Sequence, residues 1–204
     1  MYRFYLPLLL FLFVTSCKKS TNANPSKAVK ENTTQKEEHR TFSDELNFAQ
    51  YALEQLQKGA IDSLSPYVKE SILFSPYAHI DSTAQQLRLE ELKHPSDKKW
   101  FWGYADGTGD SLNLSIPDYL QKFVFDIDFG DEKVEVNQYS DRPKAYGNSL
   151  QNAQDLFPKA QFVQFYKAGT EEYGGMDWKS LILVIEKQGQ KPILRAIVHD
   201  QWTI

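Results

Sequence analysis

The stretch Ser180–Asp200, SLILVIEKQGQKPILRAIVHD, holds two apolar runs, Ser180–Glu186 and Ile193–Asp200, with a turn at Gly189 between them. Runs of this length, rich in Leu, Ile and Val and bounded by Gly and Pro, read as strands that pair antiparallel. Leu181 to Ile185 is apolar without alternation. A strand of that kind is covered on both faces, so it belongs in the middle of a sheet with helices or a second layer over it. Gln161–Tyr166 reads as a third strand of the same meander. On the last strand, the period of two puts Ile193, Arg195, Ile197 and His199 on one face and Leu194, Ala196, Val198, Asp200 and Trp202 on the other.

Upstream of the meander the period changes. Ser43, Asp44 and Glu45 make a helix start, and Leu46, Ala49, Leu53, Leu56 and Ala60 recur at helical spacing, with Gly59 marking the end. A short turn around Ile61–Val68, interrupted by Pro66, leads to a β-like segment at Ser71–Tyr77. A further helix is expected over Ala84–Leu92, a strand over Trp100–Tyr104, and another helix from Ser115 or Ile116, with Pro117 in its first turn and Leu120, Phe123 and Val124 on one face. Helices first and an antiparallel meander last define an α+β domain over residues 41–204, with N-terminal helices packed on a curved antiparallel sheet. No internal repeat is found.

That element order is similar to the cone-shaped fold called nuclear transport factor 2-like, and the resemblance covers residues 41–204. It implies a pocket at the open end of a curved sheet, where enzymes of that fold place acid/base groups. The segments WGYADGTGD (102–110), FVFDIDF (123–129), YGGMDWKSL (173–181) and IVHDQWTI (197–204) also resemble those of a family of uncharacterised bacterial extracytoplasmic proteins. That second resemblance implies no catalytic residue.

Composition narrows the chemistry. Of 204 residues, 41% are hydrophobic and 25% charged, as in globular proteins. A single cysteine excludes an intramolecular disulfide framework and a Cys-rich zinc site, and four scattered histidines leave little for a His-based metal centre. Neither a metal nor a cofactor is expected. Residues 41–204 carry sixteen Lys/Arg against twenty-four Asp/Glu, so nucleic acid is not an expected partner.

At the other end, Arg3 precedes an unbroken apolar run from Phe4 to Val14, followed by Thr15, Ser16 and Cys17. A run of eleven residues is too short to span a bilayer, which takes about 20, but suits the core of a cleaved signal, about 7–15. Val14-Thr15-Ser16-Cys17 resembles the lipobox of bacterial lipoproteins, with Val14 where leucine is usual. The resemblance implies cleavage after residue 16 and lipidation of Cys17, hence attachment to a bacterial membrane at the cell envelope. The outer membrane is expected, with the domain facing the periplasm or the surface. Several acyl chains, each contributing about 0.8 kcal/mol per buried methylene, make such attachment stable. Residues 18–40, polar and without apolar periodicity, read as a flexible tether with a reach of about 25 Å.

Five constellations are candidates for binding or chemistry. Trp102, Tyr104 and Asp106 share a face if Trp100–Tyr104 is a regular strand, and two aromatic platforms beside a carboxylate suit a sugar or a cation; core packing is the alternative. The turn Asp106–Asp110 has glycines that let oxygens converge, without the ligand pattern of an EF-hand. Asp126 and Asp128 face the same way if extended, as paired carboxylates can for acid/base work, or else form a solvated acidic edge. His199 and Asp200 point to opposite faces, so each meets a different partner, for His199 Tyr77, His79 or Asp177 if those lie at the same end of the sheet; a histidine satisfied by one hydrogen bond is the alternative. Tyr173-Gly174-Gly175-Met176-Asp177-Trp178 is either a bulge whose backbone Asp177 fixes or a rim loop that presents Trp178. No Gly-x-Ser-x-Gly is present, so serine hydrolysis has no support.

Two function classes remain. In the first, the domain is a non-enzymatic, lipid-anchored module that binds a small molecule or an envelope protein through Tyr77, Trp102, Tyr104, Asp106, Trp178 and Trp202. In the second, it is a hydrolase or isomerase using His199 with Asp126, Asp177 or Asp200. A deep pocket containing His199 hydrogen-bonded to a carboxylate favours the second; a filled interior favours a third, purely structural or protein-interaction role.

Overall fold

The computed structural model describes residues 40–204. The expected signal segment, Cys17 and all of the tether but Arg40 lie outside the described residues. Helix α1 (Glu45–Gln57) is followed by a 3-10 segment (Ile61–Tyr67), β1 (Ile72–Ser75), β2 (Gln85–Leu87), a short α2 (Leu89–Lys93) and the hairpin of β3 (Trp100–Tyr104) and β4 (Ser111–Leu114). Then come α3 (Ile116–Phe123), β5 (Val134–Tyr139), the single turn α4 (Ala153–Leu156), β6 (Gln161–Lys167), β7 (Lys179–Gln188) and β8 (Lys191–Gln201). Six strands form one sheet in the order β2-β1-β8-β7-β6-β5, antiparallel except that β1 runs parallel to β8. β3 and β4 pair with each other apart from it. The architecture is α+β.

Local chemistry accounts for the elements. Asp44 caps α1 by accepting from the Asn47 backbone N–H at 2.8 Å, and Phe48, Ala49, Ala52, Leu53 and Leu56 form the buried stripe. Ser115 caps α3 by accepting from the Asp118 N–H at 3.3 Å, with Pro117 in the first turn where no N–H is needed. Gly189, at φ +64°, opens the two-residue turn between β7 and β8. β7 is interior and covered on both faces: Leu181, Leu183 and Ile185 enter the main core with α1, α3 and Trp102. Ile182 and Val184 enter a smaller core with Ala153, Ala160 and Phe162 on the opposite face.

Several expectations are corrected. The segment Ala84–Leu92 is not one helix: Gln85–Leu87 pairs with β1, and only Leu89–Lys93 is helical. β4 and β5 are additional strands; β5 alternates Val134 and Val136 toward the main core with Glu135 outward, a legible pattern of period two. In β8, Val184 pairs with Ala196 and Ile185 with Leu194, leaving Arg195 as an extra, bulged residue. Leu194 therefore joins Ile197 in the main core, while Ala196 and Val198 face the smaller one. Arg195 lies over the Phe157 ring and pairs with Glu186.

The expected shared face of Trp102, Tyr104 and Asp106 does not form either. Gly103 adopts φ +99° at a register slip between Phe101 and Tyr104, and a Cβ there would sit 2.8 Å from the Thr83 Oγ1. Trp102 turns inward to complete burial, and Tyr104 turns outward beside Phe101.

Candidate functional site

The space between sheet and helices is filled. Trp102 stacks on Tyr119 of α3 with centroids 3.7 Å apart and donates its indole N–H to the Leu114 carbonyl at 3.1 Å. Tyr119 packs against Phe74 and Phe123, and Phe123 meets the His199 ring edge-on at 5.3 Å. Trp102 is thus core rather than a ligand platform.

His199 sits at 0% exposure at the end of this aromatic row. Its Nδ1 lies 3.0 Å from the Pro76 carbonyl and its Nε2 3.1 Å from Asp126 Oδ2. Both partners are acceptors, so filling both bonds at once takes an N–H on each nitrogen. In that state the ring has no lone pair to serve as a base, and it clamps the segment after β1 to β8 and to the connector after α3. Lys179 at the start of β7 donates to the same Asp126 oxygen at 2.6 Å. Burial acts to raise the Asp126 pKa, but the hydrogen bonds and charges of His199 and Lys179 outweigh it, and the carboxyl is held below its usual range. Asp126 Oδ1 and the Tyr119 hydroxyl are buried without hydrogen-bond partners. Burial, and secondarily the Asp126 charge, push the Tyr119 phenol well up.

The structure therefore unites His199 with Asp126 and separates the other acid/base candidates. Asp177 lies in the β6–β7 loop, where it accepts from the Thr170 N–H at 2.6 Å and from the Thr170 hydroxyl at 2.9 Å. Asp128 does not accompany Asp126; it accepts from the Gly130 N–H at 3.0 Å in a turn. Asp200 points to the opposite face of β8 and accepts from the Ser149 hydroxyl at 2.8 Å. Tyr77 and His79 do not bond His199; they line the rim beyond it.

At that rim two grooves share Tyr77, Thr203 and Ile204. One, of about 320 Å³, runs between Tyr77-Ala78-His79 and Asn148-Ser149-Leu150, with Asp200 in its lining. The other, of about 630 Å³, is walled by Tyr104, Asp106 and the turn through Gly109. The Tyr77 hydroxyl accepts from the Asp106 N–H at 3.0 Å, and burial raises the Tyr77 pKa. Asp106 Oδ2 accepts from the Ile204 N–H at 2.8 Å, and Asn148 donates to the Thr203 carbonyl at 2.8 Å, so the end of β8 is held across the rim. Asp200 is 3% exposed, and burial lifts its pKa to about 6 against the opposing Ser149 bond.

Tyr77, Tyr104 and Asp106 thus fall on the grooves, whereas Trp102, Trp178 and Trp202 do not. Trp178 is buried beside the stacked pair Tyr146 and Tyr166, and Trp202 is 37% exposed. Sequence reasoning missed Tyr119, Lys179, Asn148 and Ser149. Tyr119 had a signal in its spacing four residues before Phe123; Asn148 and Ser149 lie in a connection with no periodicity. Among the described residues no group of three or more His, Cys, Asp or Glu is arranged to hold a metal ion, and no helix is long and apolar enough to cross a membrane. Comparison of the chain with protein-family models and with curated proteins finds no match.

Proposed function

We propose that the protein is a lipid-anchored extracytoplasmic binding protein of the bacterial envelope, held at the outer membrane through Cys17, that engages a small molecule or envelope protein at the Tyr77 rim. The observation that carries the binding reading is the contrast between a filled interior and the paired grooves meeting at Tyr77. Anchoring is supported by Val14-Thr15-Ser16-Cys17 after the apolar run. The nuclear transport factor 2-like reading of the domain is supported by α1 and α3, which precede the closing β6–β7–β8 meander and pack on one of its faces.

A second reading, a hydrolase or isomerase, is favoured by the hydrogen bond between His199 and Asp126. It has the weaker support, because His199 is enclosed and both its nitrogens face acceptors. The test of the anchored reading is intact mass and membrane fractionation in a Gram-negative host, beside Cys17→Ser. Wild type is expected to gain the mass of acyl chains and to pellet with membranes, while the variant does neither. Two soluble, unmodified proteins would overturn the reading.

A further inference from the structure

The smaller rim groove is lined by one acidic side chain, Asp200, and by no lysine or arginine to match it. Asp200 is 3% exposed, its hydrogen-bond donors are neutral groups, the Ser149 hydroxyl at 2.8 Å foremost, and none of the residues lining either groove is Lys or Arg. A buried anion that keeps its charge demands a counter-charge, and where the protein leaves one out at the floor of an open groove, a ligand can bring it. The adjoining walls suit such a head group: Tyr77 offers a ring and Asp106 a second carboxylate beyond it. Resting on the rim as the binding site, we infer that the ligand is a small organic cation, an ammonium or guanidinium group on an apolar body, whose charge pairs with Asp200.

None of the other ionisable groups around Asp200 pairs with it directly; the charge of His199 lowers its pKa, but less than burial raises it. His199, its chain neighbour, faces the other side of the sheet and is committed to Asp126 and Pro76. From β7 comes Ser180, its cross-strand partner; from the β5–α4 connection Ser149 and Gln151; from the segment after β1 Tyr77 and His79. The raised pKa of Asp200, about 6, agrees with a carboxylate short of positive charge.

Benzylammonium, benzyl alcohol and benzoate have one ring and differ in charge, so they separate the cation inference from the groove reading. Amide shifts of Asn148, Ser149 and Asp200 are followed by NMR in the full chain, held in neutral detergent at pH 7.5. Benzylammonium is expected to shift them saturably, benzyl alcohol to bind roughly tenfold or more weakly, and benzoate not to bind. Asp200→Asn, which keeps an acceptor for Ser149, should bring the amine down to the alcohol's affinity. If that variant does not fold, wild type at pH 5 decides: protonated Asp200 should erase most of the amine's advantage. If alcohol or benzoate binds as tightly as the amine, the cation inference is overturned and the groove stands. If none of the three shifts these amides, both are overturned.

Discussion

Replacing Asp200 with Asn should stabilise the protein at neutral pH and leave it unchanged in acid. Burial lifts this carboxyl from an ordinary 3.8 to about 6. The folded state therefore binds more protons than the unfolded state between those values, and stability contributed by the group is full below pH 3.8 and lost as pH rises through 6. A difference of about two pKa units corresponds to about 3 kcal/mol. Asn has the same shape, can still accept from Ser149, and is never charged. Urea unfolding of wild type and Asp200→Asn at pH 4, 5, 6, 7 and 8 reads the effect directly. The two curves should coincide to within roughly 0.5 kcal/mol at pH 4 and separate upward, the variant gaining about 2–3 kcal/mol by pH 7.5, with equal m values. Asp126 and the other carboxylates titrate in both proteins and cancel in the difference. A gap that does not change with pH, or a variant less stable at pH 7.5 than at pH 4 relative to wild type, would refute a buried, uncompensated Asp200.

Asp126 carries the opposite sign. Asp126→Asn removes the charge that His199 and Lys179 share, and should cost roughly 2–4 kcal/mol at pH 7, with the deficit shrinking as pH falls through the lowered pKa of the wild-type carboxyl; urea unfolding at pH 7 and pH 3 checks both magnitude and direction. Gly103→Ala should destabilise by roughly 1–3 kcal/mol, because φ +99° strains any side chain and the new Cβ meets Thr83. Adding Thr83→Ala should recover only the steric part; complete recovery in thermal unfolding would show that the backbone conformation itself carries no strain.

Much of the framework could be read from residue patterns because it depends on interactions near in sequence or on one-dimensional periodicity. Asp44 and Ser115 cap their helices with groups three residues away, and the unbroken Leu181–Ile185 run has no polar residue that could face water, so β7 had to be covered on both sides. The errors fell where a single residue resets the period. Arg195 and Gly103 each insert a bulge, and every side chain on one side of a bulge changes face; that is how Leu194 reached the core and Trp102 parted from Tyr104. Gln85–Leu87 became a strand because β1 offered an edge, an energy absent from the local segment.

By itself, the amino-acid sequence determined the α+β class, the closing meander, the opposition of His199 and Asp200 across β8, and the motif at Cys17 on which the anchored reading rests. Only the tertiary structure decided which partner each of those two residues found. Asp126 and Pro76 reach His199 from 73 and 123 residues away, and Ser149 reaches Asp200 from 51. The pairing depends on how the connectors after β1, α3 and β5 converge at one end of the sheet. Burial, and the charge state it imposes, is a property of that convergence: the same residue type is held below its usual pKa at Asp126, beside Lys179 and His199, and raised at Asp200, where no lysine or arginine lines the groove.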